Sequence, residues 1–272
     1  MGIGPEAVLE RHPRLVYCSI WAFGYRGPMM MRPGFDPLLQ AFGAMMSLTG
    51  RPDDPPTFCG ASINDKATGL FCAVAALAAL RHRDRTGQGC AVDTSLLETA
   101  AFWVEGQVNA YMADGVVPQR HGTAAAVITP YQAFDTADRP MVIAAGNNRH
   151  FARLCEVMGH AEWFADPRFD TPRHRNLNRP ALIGLMRPVL RDRPREHWLA
   201  ALERVGVPAA PVNDVGELVS SEQFAAVDLV QTLPGSGVKV VGLPVSFNRE
   251  RPRPSRGAPE VGEHNRELLG RD

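Results

Sequence analysis

The chain has 272 residues, of which 45% are apolar and 21% charged, as is ordinary for a globular protein that buries a core. Lysine plus arginine and aspartate plus glutamate both total 29, so bulk charge gives no reason to expect binding to nucleic acid or to an anionic membrane. The length predicts one large domain or two smaller ones.

The cysteines argue against zinc sites and disulfide frameworks. Their count is odd and no two form a CxxC pair: Cys18, Cys59, Cys72, Cys90 and Cys155. The opening, MGIGPEAVLERHPRL, lacks the apolar core of a signal peptide, and the longest nearly apolar run, residues 70–80, is too short to cross a bilayer. We therefore expect reduced thiols, a cytoplasmic location and no membrane partner.

The first predicted elements are a helix at residues 5–11 and a buried strand at residues 15–20. Asp36 is predicted to cap a helix that starts at Pro37 and ends at Gly50. Residues 65–83 form a helix that is apolar nearly all round, which predicts burial between layers. A strand in CAVDTSL and a helix in LETAAFWVEGQVNAYMADG follow.

The composition changes near residue 115. PYQAFDT and PMVIAAG, separated by ADR, predict a hairpin, and helices follow, the first capped near Asn147 and a later one stopped by Gly206. We predict a partial large domain at residues 1–115, a small α+β domain at 116–212, and a C-terminal segment at 213–272 that returns to the large domain.

Common catalytic motifs are absent from the sequence. There is no P-loop and no HExxH, GIGPEA does not satisfy GxGxxG, and DTSLLE contains no GxSxG. These absences argue against nucleotide hydrolysis, zinc proteolysis and α/β-hydrolase chemistry. The eight histidines form no cluster with ligand spacing, so no metal site is expected; His121, in a Gly/Ala loop, has the best chance of approaching a ligand.

Asp65, in GASINDKATGL, opens the apolar helix and admits two interpretations. An aspartate at this place is often an N-cap that accepts hydrogen bonds from free backbone N–H groups. The same helix dipole and amide donors favour a charged carboxylate, which can attack a thioester or ester carbonyl and form a covalent intermediate. Spacing alone does not choose between a cap and a nucleophile.

Two adjoining blocks carry a family resemblance: RPGFDPLLQAFGAMMSLTG and GASINDKATGLFCAVAALAALRHRDRTGQGCAVDTSLLE. Later blocks agree in order: PYQAFDTADRPMVIAAGNNRHFARLCEVMG, DPRF, GVPAAPVNDVGEL and GAPEVGEHNRELL. Together they resemble the class III coenzyme A transferases, the family of formyl-CoA transferase and L-carnitine CoA-transferase. The resemblance implies an α/β fold with a Rossmann-like large domain, here incomplete, a small α+β domain, and an interlocked homodimer.

The resemblance also implies an activity, the transfer of coenzyme A from an acyl-CoA donor to a carboxylate acceptor. Asp65 takes the position of the catalytic aspartate, which forms a mixed anhydride and then an aspartyl-CoA thioester. The CoA thioester is a substrate, and no metal or permanently bound cofactor is implied. Further residues match substrate- and CoA-binding positions of the family: Phe35, Asp36, Leu96, Gly146 and Asn147.

Several departures from the family limit what the resemblance implies. GTAAAVIT, residues 122–129, stands where formyl-CoA transferase has a glycine-rich lid, which weakens a case for formate or oxalate. The α-methylacyl-CoA racemase branch uses a histidine where this chain has Phe35, and phenylalanine cannot transfer a proton, so racemase activity is the alternative. The family's leading segment has no counterpart here, so we also consider a fragment, or an inactive truncated paralogue that acts as an interaction partner.

Overall fold

The computed structural model describes residues 2–270, which form fourteen helices and seven strands. The helices are α1 Pro5–Arg11, α2 Asp36–Phe42, α3 Met45–Leu48, α4 Ile63–Thr86, α5 Leu96–Trp103, α6 Glu105–Asp114, α7 Asn148–Val157, α8 Glu162–Ala165, α9 Pro172–Leu177, α10 Arg179–Leu190, α11 Arg195–Arg204, α12 Val215–Ser220, α13 Glu222–Ala226 and α14 Asn265–Leu269. The strands are β1 Val16–Trp21, β2 Cys90–Ser95, β3 Tyr131–Phe134, β4 Met141–Ala144, β5 Ala209–Pro211, β6 Val230–Thr232 and β7 Lys239–Val241.

The strands β1 and β2 pair in parallel, from Val16 opposite Cys90 to Trp21 opposite Ser95. A parallel pair needs a crossover connection, and α4, which packs on both strands, is its main helix. Because only a short turn at Gly87 joins α4 to β2, the two elements run in opposite directions. The first turn of α4 therefore lies on the side of the sheet where β1 and β2 end, the usual ligand side of a parallel sheet.

The expectation that α4 is buried between layers is wrong for the single chain. Three of its residues are buried, Asn64, Thr68 and Ala79, while Leu70, Val74 and Leu77 are 65%, 58% and 68% exposed. With 24 residues and a mean hydropathy of 1.3 in its most apolar window, α4 is long and apolar enough to cross a membrane. Helices of soluble proteins pass the same test, so length and hydropathy do not decide its environment.

The single helix predicted after Asp36 is divided into α2 and α3. Gly43 ends α2, and Ala44 follows in the left-handed region with φ of 65°. A Cβ on Gly43 would lie 2.5 Å from the Cβ of Ala100 in α5, so the close approach of these helices requires glycine there. The helix predicted after β2 is likewise divided, at Val104, into α5 and α6.

The predicted hairpin is confirmed by β3 and β4, which pair antiparallel from Tyr131 opposite Ala144 to Phe134 opposite Met141. The short strand β5, which the sequence pattern did not reveal, adds to the other edge of β4. Helices α7, α10 and α11 pack with this sheet around one hydrophobic core, whose members lie between residues 134 and 207.

The C-terminal residues contain a two-stranded antiparallel sheet, β6 and β7, and three short helices. One helix predicted at residues 217–224 is two helices, α12 and α13. Asp214 and Glu217 form a capping box at α12, and Glu217 also bonds Arg195 and Arg139, which ties α12 to residues 116–212. The domain boundaries remain predictions.

Candidate active site

A buried carboxylate closes the first turn of α4. Asp36, 3% exposed, accepts hydrogen bonds from the backbone N–H groups of Asn64 and Asp65 at 2.7 and 3.0 Å. These N–H groups have no partner inside the helix, so the Asp36 carboxylate of α2 caps the N-terminus of α4. The expectation that Asp36 caps its own helix is wrong: it is the first residue of α2, after Phe35 at the N-cap.

Asp36 is held in turn by Gln40, one turn later on α2. The Gln40 amide donates from Nε2 to Asp36 Oδ1 at 2.6 Å, and its Oε1 accepts the backbone N–H of Cys59 at 2.8 Å. Gln40 is 1% exposed, so this bridge is shielded from water. One side chain thus fixes the capping carboxylate and the loop that leads into α4.

Asp65 is the third residue of α4 and not its N-cap, which is Ser62. Among residues 2–270 its carboxylate has no hydrogen-bond or ion-pair partner, and the residue is exposed. The interpretation of Asp65 as a cap is therefore wrong, because Asp36 already occupies that role. What remains at the first turn of a 24-residue helix is an accessible carboxylate in a position where the helix dipole favours negative charge.

Polar side chains line the buried side of this helix end. Thr68 donates its hydroxyl to Thr99 of α5 at 2.7 Å, and Thr99 donates to the Ser95 carbonyl at 2.9 Å, where β2 ends. Asn64 is fully buried, and neither amide atom has a partner in the described part of the chain. No sequence pattern pointed to Asn64 or Thr68. The spacing of four between Asp36 and Gln40 was the available signal for Gln40, which was not predicted.

Two further predicted residues lie in this half of the chain. Phe35 stands next to Asp36 and is 73% exposed, so its ring is accessible near the mouth of α4. Leu96, the first residue of α5, is 9% exposed and belongs to the packing at the end of β2. The structure thus brings Phe35, Asp36 and Asp65 together and places Leu96 at the same side of the sheet.

Gly146 and Asn147 lie at the turn between β4 and α7. Asn147 caps α7 by accepting the N–H of His150 at 2.8 Å, which confirms the predicted cap. A Cβ on Gly146 would lie 2.1 Å from Ile128 Cγ2, and its carbonyl accepts a hydrogen bond from Arg175 at 2.9 Å. Both residues thus have structural roles; their predicted contact with substrate stays a prediction.

Two of the cysteine thiols are poor candidates for the nucleophile. Burial raises the pKa of the Cys155 thiol to about 12, so it stays protonated in the core. Burial and the neighbouring Cys72 raise the pKa of Cys18 as well. In residues 2–270 no group of three or more His, Cys, Asp or Glu side chains is arranged to hold a metal ion. The Asp65 carboxylate is accessible at the ligand side of the sheet.

Comparison with known proteins identifies relatives over nearly the whole chain. The model of CoA-transferase family III matches residues 1–265. The chain is 33% identical to the acetyl-CoA:oxalate CoA-transferase of Acetobacter aceti, over 98% of this chain and 69% of the relative. It is also 33% identical to the succinyl-CoA:glutarate CoA-transferase of Mus musculus, over 99% of this chain and 62% of the relative.

Solved structures agree with the sequence comparison. A CAIB/BAIF family protein from Brucella suis superposes with a TM-score of 0.85 at 34% identity, covering 99% of this chain and 71% of that one. Rv3272 from M. tuberculosis gives a TM-score of 0.88 at 27% identity, covering 98% and 72%. The predicted α/β architecture is confirmed, and the chain spans about two thirds of the length of these relatives.

Proposed function

This chain belongs to CoA-transferase family III, and we propose from this premise that it transfers coenzyme A from an acyl-CoA donor to a carboxylate acceptor. In the proposal, Asp65 is the nucleophile. The observation that carries the proposal is the Asp65 carboxylate, accessible and unpaired among the described residues at the mouth of α4, with Asp36 serving as the cap.

The proposed reaction begins when an Asp65 oxygen attacks the thioester carbonyl of the donor. The C–S bond breaks, and a mixed anhydride and the CoA thiolate form. The thiolate then attacks the Asp65 carbonyl, releases the donor acid as a carboxylate and leaves an aspartyl-CoA thioester. Each step exchanges one acyl bond for another, so no oxidant or reductant is consumed.

The acceptor completes the cycle by the same chemistry in reverse. Its carboxylate attacks the aspartyl thioester, forms a second mixed anhydride and expels the CoA thiolate. The thiolate attacks the acyl carbonyl of the acceptor, and the Asp65 carboxylate is regenerated. The backbone N–H groups of Asn64 and Asp65 are engaged by Asp36 at 2.7 and 3.0 Å, so the cap and the first turn keep their geometry while Asp65 changes its bonding.

We propose a dicarboxylate as donor acid or acceptor. The names of the relatives support this: oxalate for the Acetobacter aceti protein, and succinate and glutarate for the Mus musculus protein. CoA thioesters would enter as substrates without a permanently bound cofactor, and the protein would act in the cytoplasm as a homodimer. The exposed apolar face of α4 is consistent with a partner copy.

The test is to trap the acyl-enzyme on a defined residue. The protein is mixed with succinyl-CoA and hydroxylamine, which converts an activated aspartyl group to a hydroxamate, and the labelled peptide is identified by mass spectrometry. We expect the label on Asp65, and we expect Asp65→Asn to lose the label and about a thousandfold or more of the transfer rate. Asp84→Asn, an exposed acid on the same helix, is the control and should keep both.

Two results would contradict the proposal. Equal labelling of Asp65→Asn and the parent protein would show that the nucleophile is a different residue. A folded parent protein that neither takes the label nor transfers CoA between any pair from a panel of acyl-CoA donors and dicarboxylates would favour the alternative of an inactive interaction partner.

A further inference from the structure

Backbone oxygens of residues 125–129 converge on two arginines. Arg179, the first residue of α10, has its Nη2 atom 2.6 Å from the Ala125 carbonyl, 3.0 Å from the Ala126 carbonyl and 3.4 Å from the Ile128 carbonyl. The same nitrogen lies 2.7 Å from Asn176 Oδ1. An Nη2 group with two protons does not donate to four oxygens at once. The Arg179 guanidinium is therefore held mainly by the attraction of its positive charge to the surrounding carbonyl dipoles.

Arg175, one turn before Arg179, holds the end of the same segment. Its guanidinium is fully buried and donates to the carbonyls of Thr129, Phe169 and Gly146 at 3.2, 2.9 and 2.9 Å. The guanidinium carbon also lies 4.5 Å from the ring centre of Phe151. Because the Arg175 side chain is buried and hydrogen-bonded on several sides, its conformation is fixed. It therefore restrains the backbone segments whose carbonyls it contacts.

No carboxylate in residues 2–270 lies within ion-pair distance of either guanidinium. Burial lowers the pKa of both, as expected for cations in a poorly solvated place. Asn176 joins them through its Oδ1 atom, which accepts from the Thr129 hydroxyl at 3.0 Å and from Arg179 at 2.7 Å. Backbone carbonyls therefore compensate both charges, and we call Arg175, Asn176 and Arg179 the clasp.

The residues just before the clasped segment contact the half of the chain that holds Asp65. The N–H of Gly122 donates to the Gly50 carbonyl at 2.9 Å, and Arg120 donates to the Pro52 carbonyl at 3.0 Å. Residues 50–52 begin the loop that ends at Cys59, whose N–H is held by Gln40. Hydrogen bonds at residues 50–52 and at Cys59, joined by the chain between them, thus link residues 120–122 to the residues around Asp36.

We propose that Arg175, Asn176 and Arg179 are positioning residues for the transfer reaction. They fix residues 125–129 so that residues 120–122 brace the loop at 50–52, and the braced loop forms a wall of the site in front of Asp65. The inference rests on the proposed function for the identity of the reaction. The clasp contacts no reacting atom; it acts through the 120–129 segment.

The first test measures the segment itself and needs no activity. Amide hydrogen exchange is followed at Gly122 and Ala125, whose N–H groups bond the Gly50 and Tyr131 carbonyls. Arg179→Met keeps the stem and removes the cation, and we expect about tenfold faster exchange at both amides because a charge-assisted contact is lost. Arg187→Met, an exposed arginine on the same helix, is the control and should exchange like the parent.

Arg179→Lys separates a missing cation from a damaged helix. Lysine places a single charged nitrogen among the same oxygens, so we expect it to restore most of the protection that Arg179→Met loses. Unchanged exchange at Gly122 and Ala125 in Arg179→Met would overturn the clasp, whatever the activity. Faster exchange in Arg179→Lys equal to that of Arg179→Met would overturn the role of the cation.

The second test separates positioning from stability through steady-state kinetics. In Arg179→Met we expect KM for the carboxylate acceptor to rise about tenfold while kcat stays within about threefold, since the cap that orients Asp65 is intact. Reduced kcat at unchanged KM would mean only fewer folded molecules and would overturn the positioning role. If the parent protein transfers no CoA at all, the proposed function fails, and the exchange experiment still decides whether the clasp exists.

Discussion

The two halves of the molecule bury different kinds of side chains. In residues 116–212 the core is apolar: Phe151, Leu154, Phe169, Leu182 and Met186 are at most 1% exposed. In residues 2–115 the side chains buried around the mouth of α4 are mainly polar, at 3% exposure or less: Asp36, Gln40, Asn64, Thr68, Ser95 and Thr99. The first half meanwhile exposes large apolar groups such as Leu70 and Leu77, at 65% and 68%.

This difference follows from what each half has to do. A close-packed apolar core stabilises the fold, and the loss in free energy of unfolding on substitution increases with the side-chain volume removed. A network of buried polar groups fixes directions, because each hydrogen bond constrains an angle as well as a distance. The proposed nucleophile lies where hydrogen bonds control direction. Polar substitutions in the first half should therefore affect the transfer rate, and loss of apolar volume in the second half should mainly affect stability.

The largest difference in stability between the halves is expected when phenylalanine is replaced by alanine in each of them. Phe151→Ala removes a ring with no exposed surface and should lower the free energy of unfolding by about 3–5 kcal/mol. Phe102→Ala removes a ring that is 53% exposed and should cost about 1 kcal/mol or less. Urea unfolding followed by circular dichroism measures both.

If Phe151→Ala does not fold, Phe151→Leu gives the same comparison with a smaller change in volume, at a cost of about 1–2 kcal/mol. Equal costs at positions 102 and 151 would mean that the apolar surface of the first half is packed in solution. That result would remove the distinction between the two halves.

The second contrast concerns the cap. Asp36→Asn keeps the shape of the side chain but weakens three hydrogen bonds, with Asn64, Asp65 and Gln40 at 2.7, 3.0 and 2.6 Å. We expect the free energy of unfolding to fall by about 1–2 kcal/mol and the transfer rate to fall about tenfold, since the first turn of α4 loses its anchor.

Asp53→Asn is the control for this substitution, because Asp53 is an exposed acid in the loop before Cys59. It should change neither stability nor rate. Loss of stability in Asp36→Asn without any loss of rate would show that the cap supports the fold but does not orient Asp65.

Sequence patterns predicted α7 and the β3–β4 hairpin for a physical reason. In α7 and the hairpin, apolar positions repeat with the period of the element, so both the element and its buried face could be predicted. The cap at Asn147 was equally local, because its partner, the N–H of His150, is three residues away. Local patterns carry this information without knowledge of the rest of the chain.

The site in the first half depends on contacts that no local pattern contains. Asp36 caps a helix that starts 27 residues later, and nothing near Asp36 or Asp65 reveals that their roles are separate. Family resemblance pointed to Asp65 as the reactive residue, whereas local spacing did not choose between a cap and a nucleophile. The break at Val104 was also missed. The break at Gly43 was missed because it is set by the close approach of α2 to α5.

A third contrast tests the buried amide beside Asp65. Asn64 is fully buried with both amide atoms unpaired among residues 2–270, and such groups cost about 1–3 kcal/mol of desolvation. Asn64→Leu, of similar volume, should therefore raise the free energy of unfolding by about 1–2 kcal/mol. Asn148→Leu, in the first turn of α7 and exposed, is the matched control and should leave it unchanged.

A loss of stability in Asn64→Leu would show that the amide has a partner in solution. The transfer rate of the same variant carries separate information. If stability rises while the rate falls, the amide serves the reaction at the expense of the fold, as polar groups at functional sites do.

The smallest effect is expected on the exposed face of α4. Leu77 is 68% exposed, so Leu77→Gln should change the free energy of unfolding of a single chain by less than about 0.5 kcal/mol. If the protein forms the proposed homodimer, the destabilisation caused by Leu77→Gln depends on protein concentration. A face covered by a partner copy is shielded from water only in the dimer. Thermal unfolding at a low and a high protein concentration, alongside sedimentation velocity, separates the monomer from the dimer.

A loss of stability that is small in dilute protein and larger in concentrated protein places Leu77 in an interface between copies. A large cost at both concentrations would mean that α4 is covered within one chain, and the contrast between an open first half and a closed second half would then be wrong.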